Sequence, residues 1–283
     1  MHTPLLLDGR LLVREIEADL TKRVRRIVET TGITPTLATI LVGDDPASVT
    51  YVKMKGNACA RIGMNSRKVE LPASVCTEDV LHVIEDLNAS PDVYGILLQH
   101  PVPAQIDEQW CFNTIALDKD VDGVNTASFG AMAMRLPAFV SATPLGILTL
   151  LRRFGIRIAG REAVVIGRSP ILGKPVAMLL LNADATVTIC HSKTENLPEI
   201  VRRAGIVVAA VGRARFIQAD WIREGAVLVD AGYNPGNVGD IDLENAAAKS
   251  SAYTPVPGGV GPVTIAMLMT QTVQSAERRA GLC

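Results

Sequence analysis

Residues 163–175 read AVVIGRSPILGKP, an apolar run that ends in a glycine and leads to a second glycine. Ala163–Gly167 predicts a buried strand, and Gly173–Leu181 predicts the helix after it. A glycine-containing turn between a strand and a helix lets backbone amides face a pyrophosphate at the positive end of the helix. The spacing is not that of the general dinucleotide fingerprint, and an ordinary strand–helix turn would look the same. This turn alone leaves both readings open.

Strand and helix patterns alternate on both sides of this turn. LATILVG (37–43), residues 67–71 and VYGILL (93–98) are predicted strands before it, and TVTIC (186–190), IVVAA (206–210) and AVLVDAG (226–232) are predicted strands after it. Alternation of this kind predicts parallel sheets with right-handed crossovers. Residues 118–141 break the pattern and are the predicted inter-domain region. The predicted fold class is α/β, with two α/β domains and a cleft between them.

Composition limits the class of protein. Of the 283 residues 48% are hydrophobic and 4% aromatic, which suits sheets filled with aliphatic side chains. The formal charge of −1 gives no reason to expect a nucleic acid or a membrane as partner. The five cysteines have no metal-ligand spacing, so no metal is predicted, and scattered thiols fit a reducing compartment. We expect a cytoplasmic protein.

The end of the strand TVTIC bears on the choice of cofactor. Enzymes that use NAD usually place an acidic residue there for the ribose hydroxyl. Here the residues are His191, Ser192 and Lys193. Ser192, Lys193 and Arg168 could bind a 2′-phosphate that a carboxylate would repel, which predicts NADP. His191 and Lys193 could equally be solvated loop residues.

Three segments of the first half carry polar groups toward one predicted sheet edge. Tyr51 and Lys55 are four residues apart on a predicted helix (about 47–62), so they share a face. The loop QHPVP (99–103) follows a predicted strand, and KDVDG (119–123) is dense in charge. Carboxyl ends of strands are where open α/β folds bind ligands. A solvated lysine and a surface turn are the plainer alternatives.

Two segments of the second half begin helices. Thr143-Pro144 is predicted to be an N-cap followed by proline in the first helical position, opening a helix through Leu151. TPVPGGVGP (254–262) holds three prolines and three glycines directly before the last predicted helix, 263–279. So rigid and open a backbone fits close approach by a ligand.

Together these motifs resemble the bifunctional methylenetetrahydrofolate dehydrogenase/methenyltetrahydrofolate cyclohydrolase family over nearly the whole chain. The motifs are GDDPAS, YVKMK, GILLQHPVP, KDVDG, TPLGILTLL, AVVIGRSPILGKPVA, ATVTICHSKT and TPVPGGVGP. The resemblance implies a catalytic folate-binding domain (1–140), a Rossmann-like NADP-binding domain (141–263) and a last helix (264–283) that returns to the first domain. It also implies that the protein is a homodimer and acts on tetrahydrofolate one-carbon substrates. This activity is expected to supply purine biosynthesis. We expect an apolar strand such as IVVAA to pair across the dimer.

The resemblance also implies roles for single residues. Lys55 corresponds to the catalytic lysine, Gln99 to the glutamine that tunes it, Tyr51 to the substrate-stacking tyrosine and Asp122 to the pterin-binding aspartate. These four are the predicted catalytic residues. The predicted substrate-binding residues are Tyr51, Lys55, Gln99, Pro101, Asp122, Gly259 and Pro262. The predicted cofactor-binding residues are Gly167, Arg168, Ser169, Gly173, His191, Ser192, Lys193 and Thr143.

The chain departs from the usual family pattern at several positions. His100 replaces leucine, Pro170 replaces asparagine, Lys193 replaces arginine and Ala142 replaces cysteine; the segment 124–128 is also altered. We expect His100 to line the substrate pocket without a catalytic role. Two other readings remain: an NADP-dependent dehydrogenase of another small substrate, such as a shikimate-type enzyme, and a non-catalytic nucleotide-binding module. Neither kind of protein would need the four predicted catalytic residues together with the segment TPVPGGVGP.

Overall fold

The computed structural model describes residues 3–282, so Met1, His2 and Cys283, which the predicted domains include, lie outside the described residues. The chain divides into two compact units. The six-stranded unit contains the described residues up to Val13 and Thr143–Thr264, and the three-stranded unit contains Arg14–Ala142 and the described residues from Ile265. The divisions fall within α1 (Gly9–Thr31), at the start of α6 (Ala142–Arg153) and within α10 (Val260–Arg279).

The six-stranded unit is a parallel sheet. Its strands are β1 (Leu5–Leu6), β5 (Glu162–Ile166), β6 (Thr186–Cys190), β7 (Ile206–Ala209), β8 (Val227–Asp230) and β9 (Ala252–Tyr253). They lie in the order β1-β9-β8-β7-β5-β6, and α7 (Gly173–Asn182), α8 (Leu197–Arg203) and the short α9 (Leu243–Ala246) belong to the same unit. The predicted strands of the second half are confirmed. Residues up to Val13, which were predicted to lie in the first domain, belong here because β1 pairs with β9.

Two details of this unit differ from the predictions. Strand β7 pairs with β5 on one side and β8 on the other, so IVVAA has no free edge with which to pair across a dimer. The helix predicted to be capped by Thr143, with Pro144 in its first position, begins two residues earlier, at Ala142, so Thr143 lies inside its first turn. Proline is tolerated there because the first N–H groups of a helix have no intrahelical partner.

The three-stranded unit is also a parallel sheet. Its strands β2 (Thr36–Val42), β3 (Asn65–Leu71) and β4 (Val93–Leu98) lie in the order β3-β2-β4. Helix α2 (Pro46–Ile62) connects β2 to β3, and α3 (Thr77–Ala89) connects β3 to β4; α4 (Glu108–Thr114) and α5 (Thr126–Ala133) follow. The central strand β2 is buried along its whole length, as an aliphatic run flanked by parallel strands predicts.

The segment 118–141, predicted to join the domains, is instead packed inside the three-stranded unit. Gln271 holds both of its ends: its Nε2 donates to the carbonyls of Val121 and Val140, each at 2.7 Å, and its Oε1 accepts from the Val140 N–H at 2.9 Å. Ser275 donates to the Asp118 carbonyl at 2.7 Å. The polar turn residues of this segment therefore belong to a structure fixed by hydrogen bonds, and not to a linker.

Lys119 anchors the same segment to the end of α3. Its side chain is buried, and Nζ donates to the carbonyls of Leu87, Asn88 and Ser90 at 3.0, 2.7 and 2.8 Å. The last carbonyls of a helix lack intrahelical donors, and a cation is favoured at the negative end of the helix dipole.

Among residues 3–282, none of the helices combines the length and apolar character that a bilayer crossing requires. Within the same range there is no cluster of three His, Cys, Asp or Glu side chains placed to hold a metal ion.

We expect Lys119→Met to lower the free energy of unfolding by about 1–3 kcal/mol, because buried carbonyls would lose their donor. Urea denaturation measures this. Lys68→Met is the matched control, since Lys68 lies on the exposed edge strand β3 with its side chain 41% accessible, and it should change stability by less than about 0.5 kcal/mol. Equal effects of the two variants would contradict this role for Lys119.

Candidate functional site

Helix α2 begins directly after the buried strand β2 and carries Lys55 in its middle. Asp45 caps the helix by accepting the Ser48 N–H at 2.8 Å, Pro46 occupies its first position, and Gly63 ends it in the left-handed conformation with φ 83°. The predicted helix is therefore confirmed. Lys55 is only 9% accessible, so the solvated-lysine alternative is wrong.

Lys55 is hydrogen-bonded to Gln99, the first residue after β4. Its Nζ donates to Gln99 Oε1 at 2.8 Å. Gln99 Nε2 donates to the His100 carbonyl at 2.6 Å, which leaves the oxygen of the amide to face the lysine. The Gln99 backbone N–H is bonded to the Ile40 carbonyl of β2 at 2.9 Å. The structure thus brings two predicted residues together at the carboxyl edge of the sheet.

Asp122 is the charged neighbour of this pair. Burial lowers the pKa of Lys55 to about 8, and the Asp122 carboxylate opposes that shift. Burial likewise raises the pKa of Asp122 to about 6, against the opposing influence of Lys55, the Ala142 N–H and His100. A lysine with a pKa near 8 exchanges a proton near neutral pH, as a general base must.

The backbone around Asp122 is fixed from both sides. Asp120 is fully buried and accepts the N–H groups of Val124 and Asn125, both at 3.1 Å. Ser141 Oγ donates to the Gly123 carbonyl at 2.8 Å. The altered segment after KDVDG is therefore part of the support of the site, and KDVDG is not an ordinary surface turn.

The remaining predicted residues of this unit lie near the pair in the chain and differ in exposure. Tyr51 is partly buried on α2, one turn before Lys55, while Pro101 is exposed in the loop after β4. His100 is a loop residue whose side chain is 49% accessible. Its Nδ1 lies 2.6 Å from Glu108 Oε1, and this hydrogen bond raises the pKa of His100. No local pattern around His100 indicates the Glu108 partner, which lies eight residues later on α4.

The turn after β5 has the close backbone approach that its glycines predict. Gly167 has φ 128°, and a Cβ there would clash with the Ala210 carbonyl. Its N–H is bonded to the Cys190 carbonyl at 2.9 Å. Ser169 Oγ accepts the N–H of Gly173, the first residue of α7, at 3.2 Å. The turn therefore brings backbone close to the ends of β6 and β7.

A pocket of about 290 Å³ opens at these strand ends in the six-stranded unit. It is lined by Ile166, Gly167, Arg168, His191, Ser192, Leu197, Ala210, Val211, Arg213 and Phe216. Arg168 and Arg213 bring two guanidinium groups, and the Arg213 guanidinium lies 4.4 Å from the centre of the Phe216 ring. No lining residue is acidic. An anionic ligand with an aromatic or apolar part fits this lining.

The pocket includes some predicted cofactor residues and adds others. Gly167, Arg168, His191 and Ser192 line it, whereas Ser169, Gly173, Lys193 and Thr143 are not among its lining residues. The prediction missed Ile166, Leu197 and the loop from Ala210 to Phe216. The loop follows β7, so the rule that led to the ends of β5 and β6 would have found it.

The turn after β6 is ordered by local bonds. The His191 N–H donates to Thr194 Oγ1 at 2.8 Å, and the Lys193 N–H donates to His191 Nδ1 at 3.2 Å. Ser192 and Lys193 are exposed. His191 therefore shapes this turn as well as lining the pocket.

Hydrogen bonds fix the backbone of the loop 254–262 at its start and in its middle. Gly259 is buried, with its N–H bonded to the Pro255 carbonyl at 2.9 Å, and Pro262 is partly buried in the first turn of α10. Thr254 Oγ1 accepts the N–H of Asp230 at 2.8 Å, which ties the loop to the end of β8.

Comparison with known proteins gives matches to one family in both parts of the chain. Residues 7–122 match the model of the tetrahydrofolate dehydrogenase/cyclohydrolase catalytic domain, and residues 141–280 match that of the tetrahydrofolate dehydrogenase/cyclohydrolase NAD(P)-binding domain. The chain is 60% identical over 279 residues to the bifunctional protein FolD of Acidobacterium capsulatum, covering 98% of this chain and 99% of that protein.

Solved structures agree with the sequence matches. The bifunctional FolD enzyme of Campylobacter jejuni superposes with a TM-score of 0.94 at 42% identity, over 97% of this chain and 99% of that one. The Trypanosoma brucei methylenetetrahydrofolate dehydrogenase-cyclohydrolase, solved with NADP and an inhibitor, gives 0.95 at 36% identity over 99% of each chain. These matches support neither a shikimate-type enzyme nor a non-catalytic module. The chain belongs to the tetrahydrofolate dehydrogenase/cyclohydrolase family.

Proposed function

We propose that this protein oxidises 5,10-methylenetetrahydrofolate to 5,10-methenyltetrahydrofolate with NADP and then hydrolyses the product to 10-formyltetrahydrofolate. The observation that carries the proposal is the buried Lys55 bonded to Gln99 in a chain of this family. The similar Trypanosoma brucei enzyme, solved with NADP, supports the same cofactor here. The product carries a formyl group of the kind that purine biosynthesis consumes, and we place the enzyme in the cytoplasm.

The pocket of the six-stranded unit fits NADP. Gly167 allows close backbone approach, and Arg168, Arg213 and Ser192 offer donors for phosphate oxygens without an opposing carboxylate in the lining. When bound, NADP supplies the acceptor for the hydride that leaves the methylene carbon. His191 lines the same pocket, and we propose that Ser169, Gly173, Lys193 and Thr143 extend this site.

Lys55 is the proposed general base of the hydrolytic step. Water adds to the methenyl carbon, and neutral Lys55 takes the proton of that water. The hydroxyl of this adduct then gives its proton to solvent as the bond from the carbon to the pterin ring nitrogen breaks. That nitrogen takes the proton held by Lys55, and the formyl group stays on the other nitrogen. The cationic substrate favours neutral Lys55, because a nearby positive charge lowers a lysine pKa further. Gln99 orients the amine without adding charge.

The other predicted residues of the three-stranded unit have binding roles in this proposal. Asp122 holds the pterin and Tyr51 stacks against the substrate, while Pro101 and His100 line the folate site. The partly buried position of Tyr51 on the same helix as Lys55 supports the stacking role.

Lys55→Met should lower the rate of methenyltetrahydrofolate hydrolysis at least ~100-fold, because the general base is lost. It should leave measurable oxidation of methylenetetrahydrofolate with NADP, which depends chiefly on alignment of the ligands. Methenyltetrahydrofolate should therefore accumulate, and its absorbance measures this. Normal conversion to 10-formyltetrahydrofolate would show that another group is the base.

Two variants serve as controls for Lys55→Met. Lys53→Met makes the same change at an exposed position of α2 and should leave both activities near those of the unchanged enzyme. Asp122→Asn should damage both steps, because a pterin that is not held cannot be aligned for either.

The pH dependence should follow the protonation of Lys55. Only the neutral amine accepts a proton, so kcat/KM for the hydrolysis should fall about tenfold per pH unit well below the pKa, which is about 8, and level off above it. Initial rates between pH 6 and 9.5, with the uncatalysed reaction subtracted, measure this. A flat profile across pH 8 would contradict the assignment.

We also propose that the enzyme acts as a homodimer. Because β7 is interior, the available sheet edge of the second half is β6, whose residues Thr186 and Thr188 are exposed. An edge strand with open backbone groups is a surface for pairing with another chain. Analytical ultracentrifugation at micromolar concentration should give twice the mass of the 30.2 kDa chain, and a monomer would contradict the proposal.

A further inference from the structure

The loop that forms one wall of the NADP pocket rests on a buried carboxylate. Asp240 is fully buried, and its Oδ2 accepts the N–H groups of Val211 and Gly212 at 2.6 and 2.9 Å. Its Oδ1 accepts the N–H of Arg213 at 2.9 Å and Asn234 Nδ2 at 3.0 Å. Three consecutive backbone amides of the loop therefore converge on one side chain.

Asp240 is itself fixed by a second buried carboxylate. Asp230, at the end of β8, accepts the N–H of Asp240 at 2.9 Å and the N–H of Ile241 at 2.8 Å. Two glycines make room for this arrangement: a Cβ at Gly232 would clash with the Asp240 carboxylate, and a Cβ at Gly239 would clash with that of Asp230. The end of β8 thus positions Asp240, and Asp240 positions the loop after β7.

A carboxylate suits this place because consecutive amides that point to one side form an anion-binding concavity. An ionised acceptor forms shorter and stronger hydrogen bonds than a neutral one. Two of the three residues it holds, Val211 and Arg213, line the pocket, and Arg213 stacks on Phe216, which lines it too. Movement of this loop would displace both the apolar wall and one of the two guanidinium groups.

We propose that Asp240 is a positioning residue for the cofactor: its carboxylate holds Val211–Arg213 so that Arg213 faces the nucleotide together with Arg168. This rests on the assignment of the pocket to NADP. Asp240 touches no ligand in this role; it acts through the backbone of the loop. Its contribution therefore belongs to cofactor binding and to the NADP-dependent step.

Asp240→Asn tests the proposal, because the amide keeps the shape of the side chain and replaces one acceptor oxygen with a donor. We expect the dissociation constant of NADP, measured by calorimetry, and the KM for NADP to rise by about tenfold or more. Hydrolysis of methenyltetrahydrofolate assayed without NADP should stay within about twofold of the unchanged enzyme, a result that a general loss of folding would not give.

Asp242→Asn is the matched control. Asp242 is a buried carboxylate two residues along the same segment, and it bonds to Asn245 at 2.7 Å. It should leave NADP binding within about twofold. If Asp240→Asn fails to fold, Asn234→Ala decides, since it removes one donor to the carboxylate and should weaken NADP binding by about two- to tenfold. NADP binding unchanged in whichever variant folds, or hydrolysis lost in parallel with NADP binding, would overturn the proposal.

The variant Arg168→Met distinguishes a failure of the role proposed for Asp240 from a failure of the assignment of the pocket to NADP. If it leaves NADP binding unchanged, the assignment of the pocket to NADP is wrong. If it weakens NADP binding while Asp240→Asn does not, the pocket is correctly assigned and only the role of Asp240 fails.

Discussion

The chemistry proposed for this protein depends on a lysine ammonium removed from water and bonded to a neutral partner. Transfer of a charged amine from water into a protein interior costs several kcal/mol, and the group responds by giving up its proton more readily. Lys55 bonds to the Gln99 amide oxygen at 2.8 Å, and burial lowers its pKa to about 8. Asp122 opposes the shift, so the amine stays protonated at rest and close to the point of release.

Much of the three-stranded unit serves to hold these groups in place. The buried strand β2 precedes the helix that carries Lys55, and Ile40 of that strand bonds the backbone of Gln99. Gln271 and Lys119 fix the segment that carries Asp122. None of these supporting groups needs to meet substrate. Rigid support of this kind preserves the catalytic geometry, because a displacement of about 1 Å can cost about 100-fold in rate.

The sequence predicted what depends on local pattern and missed what depends on distant contacts. Aliphatic runs located the strands, and parallel strand order brought Lys55 and Gln99 to one sheet edge. Residues 118–141 resemble a linker because they are rich in turn residues. Nothing in the segment itself indicates that Gln271, more than a hundred positions later, binds its backbone. Asp240 was missed for the same reason. It binds backbone amides 27 to 29 residues away, and backbone amides are the same whatever the residue type, so no sequence pattern indicates the contact.

The identity of residue 99 determines whether Lys55 is held by an ion pair or by a hydrogen bond to a neutral group. A glutamate there would bond Lys55 as an ion pair, and an adjacent negative charge favours the protonated amine. Glutamine accepts the same hydrogen bond with much less stabilisation of the positive charge. The bond from its Nε2 to the His100 carbonyl also fixes which end of the amide faces the lysine. A neutral acceptor held in one orientation therefore aligns the amine and still leaves it able to serve as a base.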